Sequence, residues 1–375
     1  MIVRPLTEYC TLNMGQSPDS KTYNTQGKGL PFYQGNADFG ETHPITHVWC
    51  SAPVKVAEDG DILISVRAPI GAMNMAVERC CIGRGLAALT PIRNKCSKQF
   101  LYYALQSKVD SLIAQGTGST FKAISKKVLE ATCIPAYSTI EQEQIAETIG
   151  HVDNTIAARR KQLALLDQLV KSRFIELFGD PMTDVSKWSA STIGEQFNVS
   201  SGGTPATGEK AYWENGTIPW IGSNMCQDTM LSENDGKFIT EEGYAHSSAK
   251  WFHKGTVLVA LVGATIGKTA LLRFDTTTNQ NIAAIDVTQN AAFSSEFVFY
   301  HMQMLYSKFM EIGSGKFKMA NQGFIRQLPL ICPPIELQEQ FADFVEQTDK
   351  SKLAVQKGLQ ELEILKKSLM QQYFG

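Results

Sequence analysis

The sequence predicts an α+β protein with a pseudo-twofold repeat: two mixed α/β domains joined by two long helices that form a coiled coil. Three observations carry this. One segment recurs at a constant offset, that segment has the apolar spacing of a helix, and the stretches between read as short strands alternating with short helices. The segment QEQIAETIGHVDNTIAARRKQLALLDQLVKSRFIELFG at residues 142–179 aligns without a gap with QEQFADFVEQTDKSKLAVQKGLQELEILKKSLMQQYFG at 338–375. The offset is 196 throughout, and both copies end in Phe-Gly. At the same offset ILISVRAPIGA (62–72) faces LVALVGATIGK (258–268). GTGSTFK (116–122) answers to GSGKFK (313–318), and FLYYALQ (100–106) to FVFYHMQ (297–303). Upstream, Gly15, Ser17, Pro18 and PFYQGN match Gly202, Thr204, Pro205 and PWIGSN at an offset near 187. A chain of 375 residues suits two such units. The predicted boundaries are a first domain at 1–138, a central helix at 139–180, a second domain at 181–332 and a C-terminal helix at 333–375.

In the first helical segment Ile145, Ile149, Val152, Ile156, Leu163, Leu166, Val170 and Leu177 step by threes, fours and sevens, which puts them on one stripe. The second offers Phe341, Val345, Leu359, Leu362, Leu365 and Leu369, interrupted at Thr348 and Lys352. Prolines mark both starts, at Pro135 and at Pro333 with Pro334. Some forty residues at 1.5 Å per residue make a rod of about 60 Å. A lone helix covers so narrow a stripe poorly, so the two are predicted to pair. Their core is placed at Ile149, Val152, Ile156, Leu163 and Leu166, with Val345, Leu359, Leu362 and Leu365.

The globular parts carry strand-like runs at 62–66, 256–262 and 281–287 and helical patterns at 98–114 and 294–310. Between them, Gly-, Asn-, Ser- and Thr-rich loops at 27–40 and 200–224 are natural carriers of ligand contacts. The net charge of −2 argues against a general polyanion binder, but it is unevenly spread. Lys plus Arg against Asp plus Glu is 14 to 10 over residues 1–138, and 11 to 13 over 181–332. Phosphate neutralisation would therefore come from local clusters or from a partner. The eight cysteines read as buried thiols in a chain with no secretion signal, and a cytoplasmic location is expected. The longest apolar runs fall short of a membrane span.

Catalytic patterns are absent. GATIGKT at 263–269 has three residues, not four, between its first Gly and the Gly-Lys pair, so it is no phosphate loop, and its Ile-Gly suits a tight turn closing a hairpin. His43 and His47 flank Pro44 with no Glu after His43, and no Cys-x-x-Cys occurs. No Gly-x-Ser-x-Gly elbow is present, and residues 332–335, Cys-Pro-Pro-Ile, are not the Asn/Asp-Pro-Pro-aromatic motif of an adenine methyltransferase. The chain reads as a non-enzyme with no metal site and no cofactor of its own.

The duplicated domain-plus-helix pattern resembles the specificity subunit of type I restriction-modification systems. The resemblance covers nearly the whole chain. It is carried by PPIELQEQFADFV (333–345), GGTPAT (202–207) after KWSASTIGE (187–195), IPWIGSN (218–224) and LVGATIGK (261–268). The first copy departs from it, with Gly-Gln-Ser-Pro in place of Gly-Gly-Thr-Pro and no Lys-Trp lead-in. The resemblance implies two target-recognition domains, each reading half of a bipartite double-stranded DNA site, on antiparallel helices that fix the gap. It also implies two methylation subunits docked on the helices and translocase-nuclease restriction subunits that join them. S-adenosylmethionine, and ATP with Mg, would be used in those partners by an adenine-specific methyltransferase and an ATP-dependent site-specific deoxyribonuclease. Base reading calls for Arg or Lys at guanine and Asn or Gln at adenine. The candidates are Lys28, Gln34, Asn36, Arg67, Arg84 and Lys122 in the first copy, and Lys210, Asn224, Lys250, Lys268, Lys316 and Lys318 in the second. Residues shared by the copies suit common structure or phosphate, whereas half-site specificity belongs where they differ. The competing reading is a coiled-coil scaffold for protein partners with no DNA readout.

Overall fold

Both globular parts fold around a pair of sheets, one of which has a strand that is apolar on both faces. In the computed structural model residues 2–118, 122–183, 187–312 and 319–375 are described. The chain divides into two units, Met1–Arg160 with Lys357–Gly375, and Lys161–Gln356. In the first unit, among the described residues, Cys10–Met14, Leu86–Pro91, Ile62–Ser65 and Met73–Met75 follow one another in an antiparallel sheet. A second sheet runs Tyr23–Asn24, Trp49–Cys50, Leu30–Tyr33, Cys80–Ile82 and Val56–Ala57, with Leu30–Tyr33 parallel to Cys80–Ile82. Successive side chains of a strand point to opposite faces. Ile62 and Ile64 accordingly join a core with Phe100, Leu105 and Leu112, while Leu63 joins one with Tyr33, Cys80 and Ile82.

The second unit repeats this plan. Asn198–Ser201, Ile282–Asp286, Val257–Ala260, Thr269–Leu272 and Thr229–Leu231 form one sheet, and Phe238–Ile239, Ile218–Ile221, Thr276–Thr278 and Trp251–Phe252 the other. Val257 and Val259 face the core of Phe297, Val298 and Phe309, and Leu258 and Ala260 face the opposite one. The Ile-Gly element is the hairpin corner in both units. Gly71 and Gly267 have φ of 88° and 76°, and a Cβ would stand 2.7 Å from Val109 and Phe309 respectively. Each long helical pattern predicted inside a domain is two helices, Lys98–Ser107 with Val109–Ala114 and Ser295–Met304 with Tyr306–Met310. The break delivers the second helix to that corner.

An antiparallel strand pair closes each unit where its long helix begins, Val3–Pro5 with Cys133–Pro135 and Ser189–Thr192 with Pro329–Cys332. The long helices are Thr139–Phe178 and Ile335–Phe374. The first turns of each pack on the domain just completed. The last turns lie in the core of the other unit: Phe374 with Ile145 and Ile149 in the first, Val170, Phe174 and Phe178 with Phe341 and Val345 in the second. The Phe-Gly ends are capped. Gly179 sits at φ 83°, the Phe178 carbonyl accepts from the Trp188 indole at 2.8 Å, and the Phe374 carbonyl accepts from Lys108 Nζ at 3.0 Å.

Within each unit the two helix segments run antiparallel. In the first, Lys366 pairs with Asp153 at 2.7 Å and Glu363 with Arg160 at 2.7 Å, so one number falls as the other rises. In the second, Lys352 bridges Asp167 at 2.8 Å and Asp349 at 3.3 Å. Ile149, Val152, Ile156 and Val345 are buried, and Leu163, Leu166, Leu359 and Leu362 half-buried. Leu365, predicted in the seam, is instead 46% exposed, and Lys366 takes the seam position. From Leu362 to Leu369 the steps three-then-four and four-then-three both fit a heptad, and apolarity favoured the first. The second prevails because the Lys366 stem lies in the groove with its ammonium on Asp153. Thr348 and Val355 are buried, so the apparent interruption at Thr348 and Lys352 is a continuous stripe with polar members. Of the cysteines, six are buried, Cys332 is half-buried and Cys133 is exposed, which corrects the reading of all eight as buried.

Candidate nucleic-acid interface

In the first unit the loop Gly83, Arg84, Gly85 crosses from one sheet to the other, and backbone hydrogen bonds fix it on three sides. Gly83 N donates to Tyr33 O at 2.8 Å, Gly85 N to Gln34 O at 3.1 Å, Val66 N to Gly85 O at 2.9 Å, and Gln16 N to Ile82 O at 3.0 Å. The approach leaves no room for side chains: a Cβ on Gly15 would lie 2.1 Å from Gly83 O, and one on Gly85 2.3 Å from Gln34 O. Arg84, between two buried glycines, is exposed at the apex, with its amide on Ser17 Oγ at 3.3 Å. The next loop joins it through Val66. Ile124 N donates to Val66 O at 2.9 Å and Ala68 N to Lys122 O at 3.1 Å, which sets exposed Arg67 beside exposed Lys122.

The structure therefore brings Gln34, Arg67, Arg84 and Lys122 into one rim of loop backbone. Asn36 opens the turn Asn36–Asp38 directly after Gln34, and the Asp38 carboxylate holds that turn by accepting from Gln34 N at 2.6 Å. Lys28 is not part of it. It sits on a separate exposed turn closed on Asn24, Lys28 N to Asn24 Oδ1 at 3.0 Å and Asn24 Nδ2 to Lys28 O at 2.8 Å. The rim is cationic at Arg67, Arg84 and Lys122, and no ion pair among the described residues involves these three. Such side chains suit phosphate or guanine.

The second unit builds the same rim from different residues. Asn279, Gln280 and Asn281 occupy the loop, 196 residues after Gly83, Arg84 and Gly85. Asn279 N donates to Ile221 O at 3.1 Å and Leu261 N to Asn281 O at 2.9 Å. Gly202 is as confined as Gly15, with a Cβ falling 2.1 Å from Thr278 O. Thr204, matching Ser17, donates its hydroxyl to Gln280 Oε1 at 2.5 Å. A cleft of about 450 Å³ opens here, lined by Gly202, Lys250, Gln280, Asn281, Asn321 and Gln322 among others. Exposed Lys250 stands on its lip, and exposed Asn224 lies in the turn Ser223–Met225 after the strand Ile218–Ile221.

The remaining candidates lie elsewhere. Lys268 is turned into its own domain, its ammonium 2.6 Å from Asp228 and 4.7 Å from the Tyr306 ring centre. Lys210 is exposed and pairs with Glu214 at 3.6 Å. Lys316 and Lys318 fall outside the described residues. Sequence reasoning missed Asn279, Gln280 and Asn281. The signal was available in the fixed offset, which continues past LVGATIGK, but a search for residues common to both copies passes over a position where Arg is replaced by Gln.

Among the described residues no group of three or more His, Cys, Asp or Glu is placed to hold a metal, and no helix is long and apolar enough to cross a membrane. The one buried histidine, His301, donates from Nε2 to Pro329 O at 2.9 Å; burial drives its imidazole down to about 4. Burial pushes the thiols of Cys10, Cys80, Cys96 and Cys226 up to about 12, so none is a nucleophile at neutral pH.

Fold and rims together define a duplicated protein, with a polar loop edge on each domain and one long helix after each. Over residues 1–168 and 185–364 the sequence matches the family described as type I restriction modification DNA specificity domain, and the chain belongs to that family. Relatives that it matches are named as specificity subunits of type I restriction enzymes. The chain is similar to the MjaX specificity subunit of Methanocaldococcus jannaschii, at 41% identity over 164 residues that span 44% of this chain and 39% of that one. It thus matches well under two thirds of that relative's length. It is also similar to the MjaIX specificity subunit of the same organism, at 23% identity over 301 residues, 72% of this chain and 69% of the relative. The solved S subunit from M. genitalium shares the fold, with a TM-score of 0.60 at 18% identity over 100% of this chain and 96% of that one.

Proposed function

We propose that each unit reads one half of a bipartite double-stranded DNA site through its loop rim, and that the paired helices set the number of unread base pairs between the halves. The observation that carries this is the recurrence of one rim, on one backbone plan, with different polar side chains. Arg67, Arg84 and Lys122 in the first unit face the chemistry of phosphate and guanine, and the amides of the second that of adenine. The chain contributes recognition alone. Two methylation subunits, carrying S-adenosylmethionine, dock on the helices and act on a flipped adenine, and restriction subunits using ATP with Mg join where the system restricts. Exposed Leu165 and Leu169, which line a shallow apolar groove with Gln162 and Gln168, give such a partner a surface on the helices.

The test is duplex binding by the chain co-expressed with its methylation subunits, measured against salt and followed by mapping of methylated adenines. A steep fall of affinity with salt and a two-part methylated motif are expected. Affinity indifferent to salt and to sequence would leave the scaffold reading, in which the helices alone matter.

A further inference from the structure

We propose that Arg84 and Gln280 are the matched base-reading side chains of the two rims, Arg84 selecting guanine in one half-site and Gln280 selecting adenine in the other. The inference rests on the DNA-reading role above and adds which residue reads which base.

The two positions are structurally equivalent by more than alignment. In each unit the preceding strand runs parallel to the strand that leads into the rim, Cys81 beside Phe32 and Thr277 beside Trp220. In each, the backbone of the loop is hydrogen-bonded to that strand's end, to Tyr33 and Gln34 in one case and Ile221 in the other. In each, one residue alone stands out: Arg84 is exposed between buried glycines, and Gln280 between half-buried asparagines. A hydroxyl at the matched position steadies both, Ser17 Oγ on the Arg84 amide and Thr204 Oγ1 on the Gln280 side chain. The Thr204 bond fixes which edge of the Gln280 amide accepts, while Oε1 keeps a second lone pair and Nε2 both donors for a base.

The difference between the residues is the difference between two bases. Guanine offers two acceptors, O6 and N7, which the guanidinium fork can satisfy together. Adenine offers the N7 acceptor and the N6 donor, which one amide satisfies. Held at equivalent apexes by a common backbone, the two side chains give the halves of the site different content without any change in how the domains sit on the duplex.

The experiment uses the full chain assembled with its methylation subunits and selects from duplexes randomised over the site. With R84Q, one base pair of one half-site shifts from G·C to A·T; with Q280R, one base pair of the other half-site shifts the opposite way. The wild-type preference at each position is about 5- to 150-fold. T204V weakens discrimination only at the position read by Gln280. A uniform loss of affinity with unchanged preferences would make Arg84 a phosphate contact and overturn the assignment, and so would an unchanged motif, a shift in both halves, or complete loss of binding by R84Q and R84A alike. If the wild-type assembly selects no sequence at all, the DNA-reading role falls instead.

Discussion

Gln142 and Gln338, 196 residues apart, make the same three hydrogen bonds in their respective units. The Gln142 Oε1 accepts from Ser97 N at 3.0 Å, and its Nε2 donates to Lys95 O and Tyr137 O, each at 3.0 Å. Gln338 accepts from Ser294 N at 2.9 Å and donates to Ala292 O at 3.0 Å and Pro333 O at 2.9 Å. Both are within 1% of complete burial, so each amide clamps the first turn of a long helix to the domain it leaves. Truncating either to Ala strands buried backbone groups, and a loss of about 1–3 kcal/mol in stability is expected for each, read by denaturant unfolding. A loss under about 0.5 kcal/mol would mean that water replaces the clamp.

The lysines of the seam are predicted to set register more than strength. Lys352 and Lys366 are two heptads apart, and so are their partners Asp167 and Asp153. K366M should leave stability within about 1 kcal/mol of the parent, because an apolar side chain of similar length fills the groove. K366D, which sets two carboxylates together, should lower it by about 1–2 kcal/mol, with high salt restoring part of the loss. Equal effects from the two substitutions would argue that Asp153 plays no part.

Acid sensitivity should reside in the second unit. His301 is fully buried, whereas the matching residue of the first unit is Ala104, also buried. Burial disfavours the imidazolium, so the folded state binds the proton less readily than the unfolded chain. The contribution of His301 is therefore complete above about pH 6.5 and is lost as pH falls toward about 4, to a total of about 3 kcal/mol. H301Q keeps a donor for the Pro329 carbonyl and does not titrate. Its unfolding midpoint should decline less steeply between pH 7 and pH 4.5 than that of the parent; parallel curves would remove His301 as the cause.

Lengthening both long helices by one heptad adds about 10 Å to each, which corresponds to about three base pairs of duplex. The methylated motif should gain that many unread positions while both half-sites keep their sequence. An altered half-site with an unchanged gap would contradict the ruler role. Exchanging residues 181–332 for those of a relative should change one half-site only.

The repeat and the helices were legible because both are periodic, one at 196 residues and the other near 3.5. The exchange of helix ends between units was not. The apolarity of Phe174, Phe178 and Phe374 says that these residues are covered but not by what, and only the placement of Phe374 against Phe100, ring centres 5.4 Å apart, shows it. Leu365 misled because two spacings fit equally and a paired lysine outcompeted a leucine. At the rims, Arg67, Arg84 and Lys122 were legible as cations in glycine-rich loops. Lys268 carried the same signal and is held by Asp228, forty residues earlier in the chain, a pairing that no local pattern announces. Gln280 was hidden because it resembles nothing in the first copy.

The first unit takes its last wall from Lys357–Gly375, which the ribosome makes after the whole of the second unit. During synthesis the early domain therefore waits, with Phe100 and its neighbours uncovered, until a distant stretch of chain arrives to cover them. Maturation of the earlier domain is tied to production of the later one, so a chain truncated within the second domain would leave the first unfinished as well.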